Sequence, residues 1–388
     1  MTTQKGIYPD HKLHEFVEKE YIQSSMPIDE NSIGPSSLDL TLNGRIFKTV
    51  GSSTPKAGEP VMAMLEKISS GRKLREIEPN EEGAYELDKG IVYVAELNES
   101  LDLPEYIQGR ANPRSCVGRL DILVRVMADG VTLFDTIPPN YRGKLYLEIY
   151  SSEFNIEVRN GYALSQLRLH TKGDIQEFTL TEGQLKKLVE NPPYLLVDKN
   201  GGSIKDPIIG ESGLFLTSDL DCVPVAYKAK HVNRDIDILA DEKYYAEDFW
   251  DPVEKDEYRY IALDKTDFFV MKSKEHIIVP PEYAIEIVPH NERLVEARVH
   301  YAGFAHPGFG YTADSRPRGT PLIFEVRSRD APIALRDEKP LAKLYYNRMY
   351  EEPEIPYNKR TNSFGTQGLK LSPCFKPWGA KPRIIPQD

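Results

Sequence analysis

Glu148 stands between Leu147 and Ile149 in the run YRGKLYLEIYS (141–151). Apolar residues at every second position predict a strand, with Leu145, Leu147 and Ile149 on one face. Tyr146, Glu148 and Tyr150 then share the other face. A carboxylate flanked by tyrosines is expected to be partly desolvated, which suits it to acid/base work. A solvated surface glutamate is the ordinary alternative for one such residue in a half-exposed strand. Other polar groups cluster nearby in sequence: Arg114-Ser115-Cys116-Val117-Gly118-Arg119-Leu120-Asp121, Ala128 in VMADG, and Gln166 in GYALSQL.

The elements that must hold these residues occur twice. A shift of 177 positions takes Pro104 to Pro281, Tyr106 to Tyr283, Glu148 to Glu325, Ser151 to Ser328 and Leu167 to Leu344, with no gap needed. A fixed offset of this kind points to duplication, so one fold is used twice. The same shift turns Ser115 into Glu292, Arg119 into Glu296 and Gln166 into Lys343. Two added carboxylates repel an anionic ligand. A local gap of three would instead set Arg293 on Arg119 and Pro289 on Ser115. Copy two therefore reads as a structural or assembly unit with a relic carboxylate, Glu325.

At 388 residues the chain suffices for about two domains, each with its own core. Hydrophobic residues make up 40% and charged residues 28%, an ordinary globular balance. The 29 prolines, 22 tyrosines and short apolar runs favour many short strands joined by turns. A net charge of −11 argues against a sequence-independent grip on nucleic acid, yet permits one local basic pocket. Three scattered cysteines, Cys116, Cys222 and Cys374, suggest a reducing compartment. No apolar run approaches 18 residues, and MTTQKGIYPDHKLHEF has no signal-like apolar core. The expectation is a cytoplasmic protein without a membrane span.

Residues 10–22 predict a short amphipathic helix through Leu13, Phe16, Val17, Tyr21 and Ile22. SIGPSSLDLTLNGRIFK predicts a strand and an Asn43-Gly44 turn. Residues 50–85 read as loop with one strand, 90–104 as β, and 109–170 as several strands. TEGQLKKLVEN (181–191) predicts a helix, and NPPYLLVDKNGGSIKDP a linker. The segment 247–261 has no visible counterpart in copy one. This gives an N-terminal domain at 1–195, a second at 205–352, and a tail at 353–388.

GRANPRSCVGRLDILVRV, with YRGKLYLEIYS and ALSQL downstream, resembles the dCTP deaminase branch of the trimeric dUTPase fold. GPSSLDLTL (34–42) is similar to that family's early strand, and YNKRTNSFGTQGLKLS (357–372) to its C-terminal lid. The resemblance to the long, tandem form covers nearly the whole chain. It implies a mainly β protein, with two tandem dUTPase-like distorted β-barrels of β-clip or jelly-roll type and a few short helices. It also implies a homo-oligomer, a trimer favoured, with sites at subunit contacts. The implied reaction is dCTP + H2O → dUTP + NH3, with Mg2+ accompanying the triphosphate and dTTP a possible inhibitor.

Carried over by position, Glu148 resembles the general acid/base, and Ser115 and Arg119 match residues that position water and base. Backbone near Ala128 would meet the pyrimidine edge. Arg114 and Gln166 match the phosphate side. Lys359, Arg360, Gln367 and Lys370 of the tail could close on phosphates, over a copy-one site in the same chain or a neighbour. Zinc-dependent deaminases show H-x-E followed by P-C-x-x-C, and this chain has no Cys-x-x-Cys, so zinc is not expected. Two departures stand out. Pro138 takes the place of the related motif's Asp, with Asp135 a substitute for sugar contact, and Cys116 replaces a serine. The Pro138 departure argues against a bifunctional enzyme that also cleaves the triphosphate. Intact Ser115, Arg119 and Glu148 argue against a purely nucleotide-binding regulator.

Overall fold

The computed structural model describes residues 4–69, 74–204, 206–211, 213–289, 297–299, 303–328, 331–360 and 368–381. In the first half, helix α1 (Asp10–Glu18) precedes β1 (Ile22–Ser24) and β2 (Leu38–Lys48). Helix α2 (Val61–Ile68) precedes β3 (Arg75–Ile77), β4 (Tyr85–Leu87), β5 (Val92–Asp102) and β6 (Ile107–Pro113). The short α3 (Ser115–Gly118) leads into β7 (Ile122–Ala128), β8 (Thr136–Ile137), β9 (Arg142–Ser151), β10 (Asn155–Val158) and β11 (Ala163–Thr171). The main sheet runs β7-β9-β5-β2-β11-β6-β8. Leu38, Leu40 and Leu42 of β2 and Leu145, Leu147 and Ile149 of β9 fill its interior. The expected alternation around Glu148 is thus present.

The second half repeats the plan. Leu167 pairs with Leu38 in β11 and β2, and Leu344 pairs with Leu214 in the second half. A register shift follows at the matching place in both, between Ala163 and Ser165 and between Leu216 and Thr217. Thr41 donates through its backbone N and Oγ1 to the two oxygens of Glu99, at 2.8 and 2.7 Å. Thr217 does the same to Glu275, at 2.7 and 2.7 Å. Ser151 Oγ donates to the Phe154 carbonyl, and Ser328 Oγ to that of Ala331.

The pairing corrects the fixed offset. Val94 lies opposite Glu148 and Val270 opposite Glu325, so the earlier strands are displaced by 176 and the later ones by 177. The Ile107 N–H donates to Pro104 and the Tyr283 N–H to Pro280, so Pro104 corresponds to Pro280 rather than Pro281. One residue has been gained before the later strands of copy two.

The 247–261 segment does have counterparts. Its strand Trp250–Val253 edges the sheet as β3 does, and Tyr260–Leu263 pairs with Ile333–Arg336 as β4 pairs with β10. Burial rather than sequence likeness marks the equivalence, because Trp250 is drawn into the first barrel's core.

Three local expectations also change. The first helix stops at Glu18, where Glu20 takes φ 59° and Ile22 joins β5. Asn43-Gly44 is no hairpin turn. Gly44 takes φ 85° inside one long strand, and the register against β5 shifts between Leu42 and Ile46. Residues 61–68 form α2, whose Val61, Met64 and Leu65 pack on Val94, Met127 and Tyr146. The helix at 182–190 forms as expected, with a Thr181–Gln184 capping box.

The halves are not separate beads. Phe154 of the first barrel packs on Phe249 and Trp250, and Phe268 and Val270 of the second join the same core. After the second barrel the chain returns to the first. Leu371, Cys374 and Phe375 are buried there, and Phe375 pairs with Tyr244.

Candidate active site

Strand β6 ends at Pro113, Arg114 is extended, and Ser115 opens α3. Arg114 Nη1 lies 3.3 Å from Asp39 Oδ2 and donates to the Ala163 carbonyl at 3.3 Å. Burial pushes the Asp39 carboxyl up, and Arg114 opposes this. Gln166 sits in register between Asn112 and Asp39. It accepts from Ser37 Oγ at 3.0 Å and donates to the Pro113 carbonyl at 3.4 Å. The Ser115 side chain is half-buried at this corner. The fold therefore brings Arg114, Ser115 and Gln166 together.

Arg119 closes α3 and is 2% exposed. Its Nη1 donates to the carbonyls of Lys370 and Leu371 at 3.1 and 3.4 Å, while Ser372 Oγ donates to the Cys116 carbonyl at 3.0 Å. The returning tail thus lies on α3 of its own chain. Burial pulls the Arg119 pKa down, and the Glu325 carboxyl of the second barrel offsets part of that. Burial pushes Glu325 up to about 8, with Arg119 again the opposing influence.

Two residues on, the charges cross. Arg327 donates through Nε and Nη2 to Asp121 Oδ2, at 3.0 and 2.5 Å, and through Nη2 to Glu153 Oε2 at 2.8 Å. Asp121, Leu123, Tyr150, Ser152, Phe268, Glu325 and Arg327 enclose a cavity of about 60 Å³. A larger cleft of about 560 Å³ lies away from this junction, between Tyr8, Phe16, Tyr106 and Tyr350. Its lysines are taken up in ion pairs, such as Lys12–Glu15 at 2.9 Å and Lys172–Glu105 at 2.7 Å.

Glu148 is buried elsewhere. Its Oε1 accepts from Arg125 Nη2 at 2.5 Å and Nε at 3.1 Å. The guanidinium covers the Phe134 ring at 3.9 Å and donates to Ser52 Oγ at 2.6 Å. Asp135 is close by, with φ 56°, and accepts from the Val126 N–H at 2.8 Å. Burial pushes Asp135 up to about 7. Ala128 is buried opposite Leu145 on the same β7–β9 ladder.

Glu148, Ala128 and Asp135 therefore form one group, and Ser115, Arg119, Arg114 and Gln166 another. Within one chain the two groups lie apart. Strand β9 turns Glu148 toward Arg125 and α2, whereas α3 turns Arg119 toward the second barrel.

The tail residues also divide. Lys359 Nζ donates to the Ala313 carbonyl at 2.7 Å. Arg360 donates to the Ile33 carbonyl at 2.7 Å and lies 3.3 Å from Asp10. Lys370 has an exposed side chain, and its carbonyl receives Arg119. Gln367 lies outside the described residues, as do Glu292, Arg293 and Glu296.

Sequence reasoning passed over the turn His306-Pro307-Gly308-Phe309-Gly310 of copy two. Gly308 and Gly310 take φ 88° and 82°, and a side chain on Gly310 would strike the Ile277 carbonyl. His306 accepts or donates at Nδ1 with Ser36 Oγ at 3.0 Å and stacks on Tyr357 with centroids 5.7 Å apart. Gly303 N donates to Asn112 Oδ1 at 3.0 Å, and Arg168 donates to the Ile285 and Ala305 carbonyls at 2.9 and 3.4 Å. In register Ile137 and Ala305 take matching places, so Pro138-Pro139-Asn140 corresponds to His306-Pro307-Gly308, and Tyr141 to Phe309, whose carbonyls accept from the Leu103 and Val279 N–H groups.

Two tandem β-barrels of dUTPase-like plan, sharing one charged junction, define the class. Comparison with known proteins gives the family. Residues 4–173 match the model described as 2'-deoxycytidine 5'-triphosphate deaminase (DCD) N-terminal domain, and 183–375 the corresponding C-terminal domain. A crystal structure of 2'-deoxycytidine 5'-triphosphate deaminase from Agrobacterium tumefaciens superposes with TM-score 0.81 at 32% identity, covering 90% of this chain and 97% of that one.

Curated relatives match over shorter spans. A dUMP-forming dCTP deaminase of Coprothermobacter proteolyticus is 33% identical over 34% of this chain and 63% of its own length. A dCTP deaminase of Actinobacillus succinogenes is 30% identical over 37% of this chain and 71% of its own. The chain belongs to the 2'-deoxycytidine 5'-triphosphate deaminase family.

Proposed function

We propose that the chain hydrolyses the exocyclic amine of dCTP, giving dUTP and ammonia. The observation that carries this is Arg119, at the end of α3, acting on the buried Glu325 carboxyl at the barrel junction, with Arg114 and Ser115 at the start of the same helix, in a chain of this family. Deamination needs a nucleophilic water, a proton for N3 and a proton for the departing amine. One carboxyl of suitable pKa can serve all three. Arg114 and Ser115 supply charge-assisted and neutral donors for phosphate oxygens, and Mg2+ arrives with the triphosphate as part of the substrate.

The chain offers two equivalent carboxyls. A role for Glu148, with Ala128 and Asp135 at the base and sugar, requires Ser115 and Arg119 of a second chain to approach it. A homotrimer with sites at subunit contacts would provide that approach. The intracellular nucleotide pool and the free cysteines Cys116, Cys222 and Cys374 suit a cytoplasmic location.

A second reading is favoured by one likeness, to the dUMP-forming relative. In it the chain also cleaves the triphosphate to dUMP and pyrophosphate. Chromatography of products from dCTP with Mg2+ separates the two: dUTP supports deamination alone, dUMP the bifunctional reading. Failure to release ammonia from dCTP rejects both.

A further inference from the structure

We propose that Glu325, on the second barrel, is the acid/base carboxyl of a site that both barrels of one chain complete, with Ser115 and Arg119 supplied by the first. The inference rests on the reading that the chain deaminates dCTP. It replaces the picture of copy two as a structural unit with a relic carboxylate.

Position argues for it first. Glu325 and Arg119 act on each other across the junction, while Glu148 has Oε1 occupied by two charge-assisted hydrogen bonds from Arg125. Glu325 lines a small cavity whose wall combines Leu123 and the rings of Tyr150 and Phe268 with the polar Asp121, Ser152 and Arg327. A planar pyrimidine suits such walls. The cavity's 60 Å³ also suffices for water, which needs roughly 10–15 Å³ by this measure. Arg327, on the same cavity, is engaged by Asp121 and Glu153.

The division of labour follows the duplication. Copy one keeps Arg114, Ser115 and Arg119, and has Asn140 and Arg142 around Tyr141 where copy two has glycines around Phe309. Copy two keeps the Gly308-Phe309-Gly310 turn and Glu325. The tail joins the two, with Tyr357 stacked on His306 of the turn and Leu371 receiving Arg119.

The chemistry balances with this one carboxyl. Ionised Glu325 takes a proton from water as the oxygen adds to C4 of cytosine. It delivers that proton to N3, leaving C4 bonded to OH and NH2. It then takes the hydroxyl proton and hands it to the amine. The C4–N bond breaks, ammonia leaves, and C4 becomes the carbonyl of uracil. No oxidant, reductant or metal step is required.

The test compares full-length wild type, Glu325→Gln, Glu325→Asp and Glu148→Gln for ammonia release from dCTP with Mg2+, alongside equilibrium binding of dCTP. Glu325→Gln should lose about 10³-fold in kcat while binding dCTP within a few-fold of wild type. Glu325→Asp, which retracts the carboxyl, should lose about 10²-fold and secures the test should the Gln variant not fold. An active wild type with a near-normal kcat in the Glu325 variants overturns the assignment, most plainly if Glu148→Gln alone is dead. A wild type that releases no ammonia overturns the reaction itself, and this role with it.

Discussion

Arg119 of the first barrel and Glu325 of the second answer one another across the junction. Two residues further along each strand-bound pair the sense reverses, with Asp121 receiving Arg327. This crossed arrangement aligns the barrels, because each charge has its partner on the other half.

The buried pair Asp121–Arg327 should therefore be costly to break. Arg327→Ala removes the guanidinium from buried Asp121 and from Glu153, which keeps His231, and should cost about 1–3 kcal/mol. Chemical denaturation of the variant checks this. A loss under about 1 kcal/mol would mean the junction does not hold the barrels.

Glu325 should also shape stability against pH. Its folded pKa, about 8, lies above the ordinary glutamate value of 4.5, so between the two the folded state holds a proton that the unfolded state has released. That contribution is present at low pH and is lost as pH rises through the folded pKa. Between about pH 5 and 8, wild type should lose up to ~1.4 kcal/mol per pH unit relative to Glu325→Gln. Melting curves of both proteins across that range measure the difference. Parallel pH dependence of the two would deny that Glu325 is buried and protonated.

The same pKa predicts the rate profile. Glu325 must be ionised to take the first proton, so kcat/KM should rise with pH toward about 8. Asp121 and Arg327 line the same cavity, Arg119 acts on Glu325 across the junction, and Asp121 is itself pushed up by burial. Glu325→Asp should shift or abolish the rise, whereas a titration belonging to Asp121 would leave its midpoint in place.

Much of the fold was legible because it rests on period-two burial and on a repeat. Leu145, Leu147 and Ile149 against Tyr146 and Glu148 fixed a strand and its faces before any coordinates. The helix at 182–190 carried its own capping box. What escaped depends on partners remote in sequence. Helix α2 begins where Asp129 accepts from the Val61 N–H at 2.8 Å, a cap 68 positions away. Trp250 reads as an unmatched insertion because its core belongs to the other barrel.

The site divides along the same line. Arg114, Ser115, Arg119 and Gln166 were identifiable as a set, since they lie on one local corner of β6, α3 and β11. Which carboxyl meets Arg119 is a question of how two barrels dock, and the similar strands around Glu148 and Glu325 cannot answer it. The His306–Gly310 turn was the sequence clue that copy two had kept chemistry of its own.

A tail held on α3 should matter for substrate. Removing residues 357–388 strips the hydrogen bonds that Lys370, Leu371 and Ser372 make with Arg119 and Cys116. The KM for dCTP should rise substantially, by about 10-fold or more on the loss of roughly 1.4 kcal/mol of binding. An unchanged KM in steady-state assays would show that the tail is only packing.

The central claim is that this two-barrel chain deaminates dCTP. Incubating purified full-length protein with dCTP and Mg2+, and resolving nucleotides while measuring ammonia, tests it most directly. The account predicts one ammonia for each dCTP consumed and dUTP as the nucleotide product. Folded protein that binds dCTP yet leaves it unchanged would contradict the account and return the chain to a nucleotide-binding role.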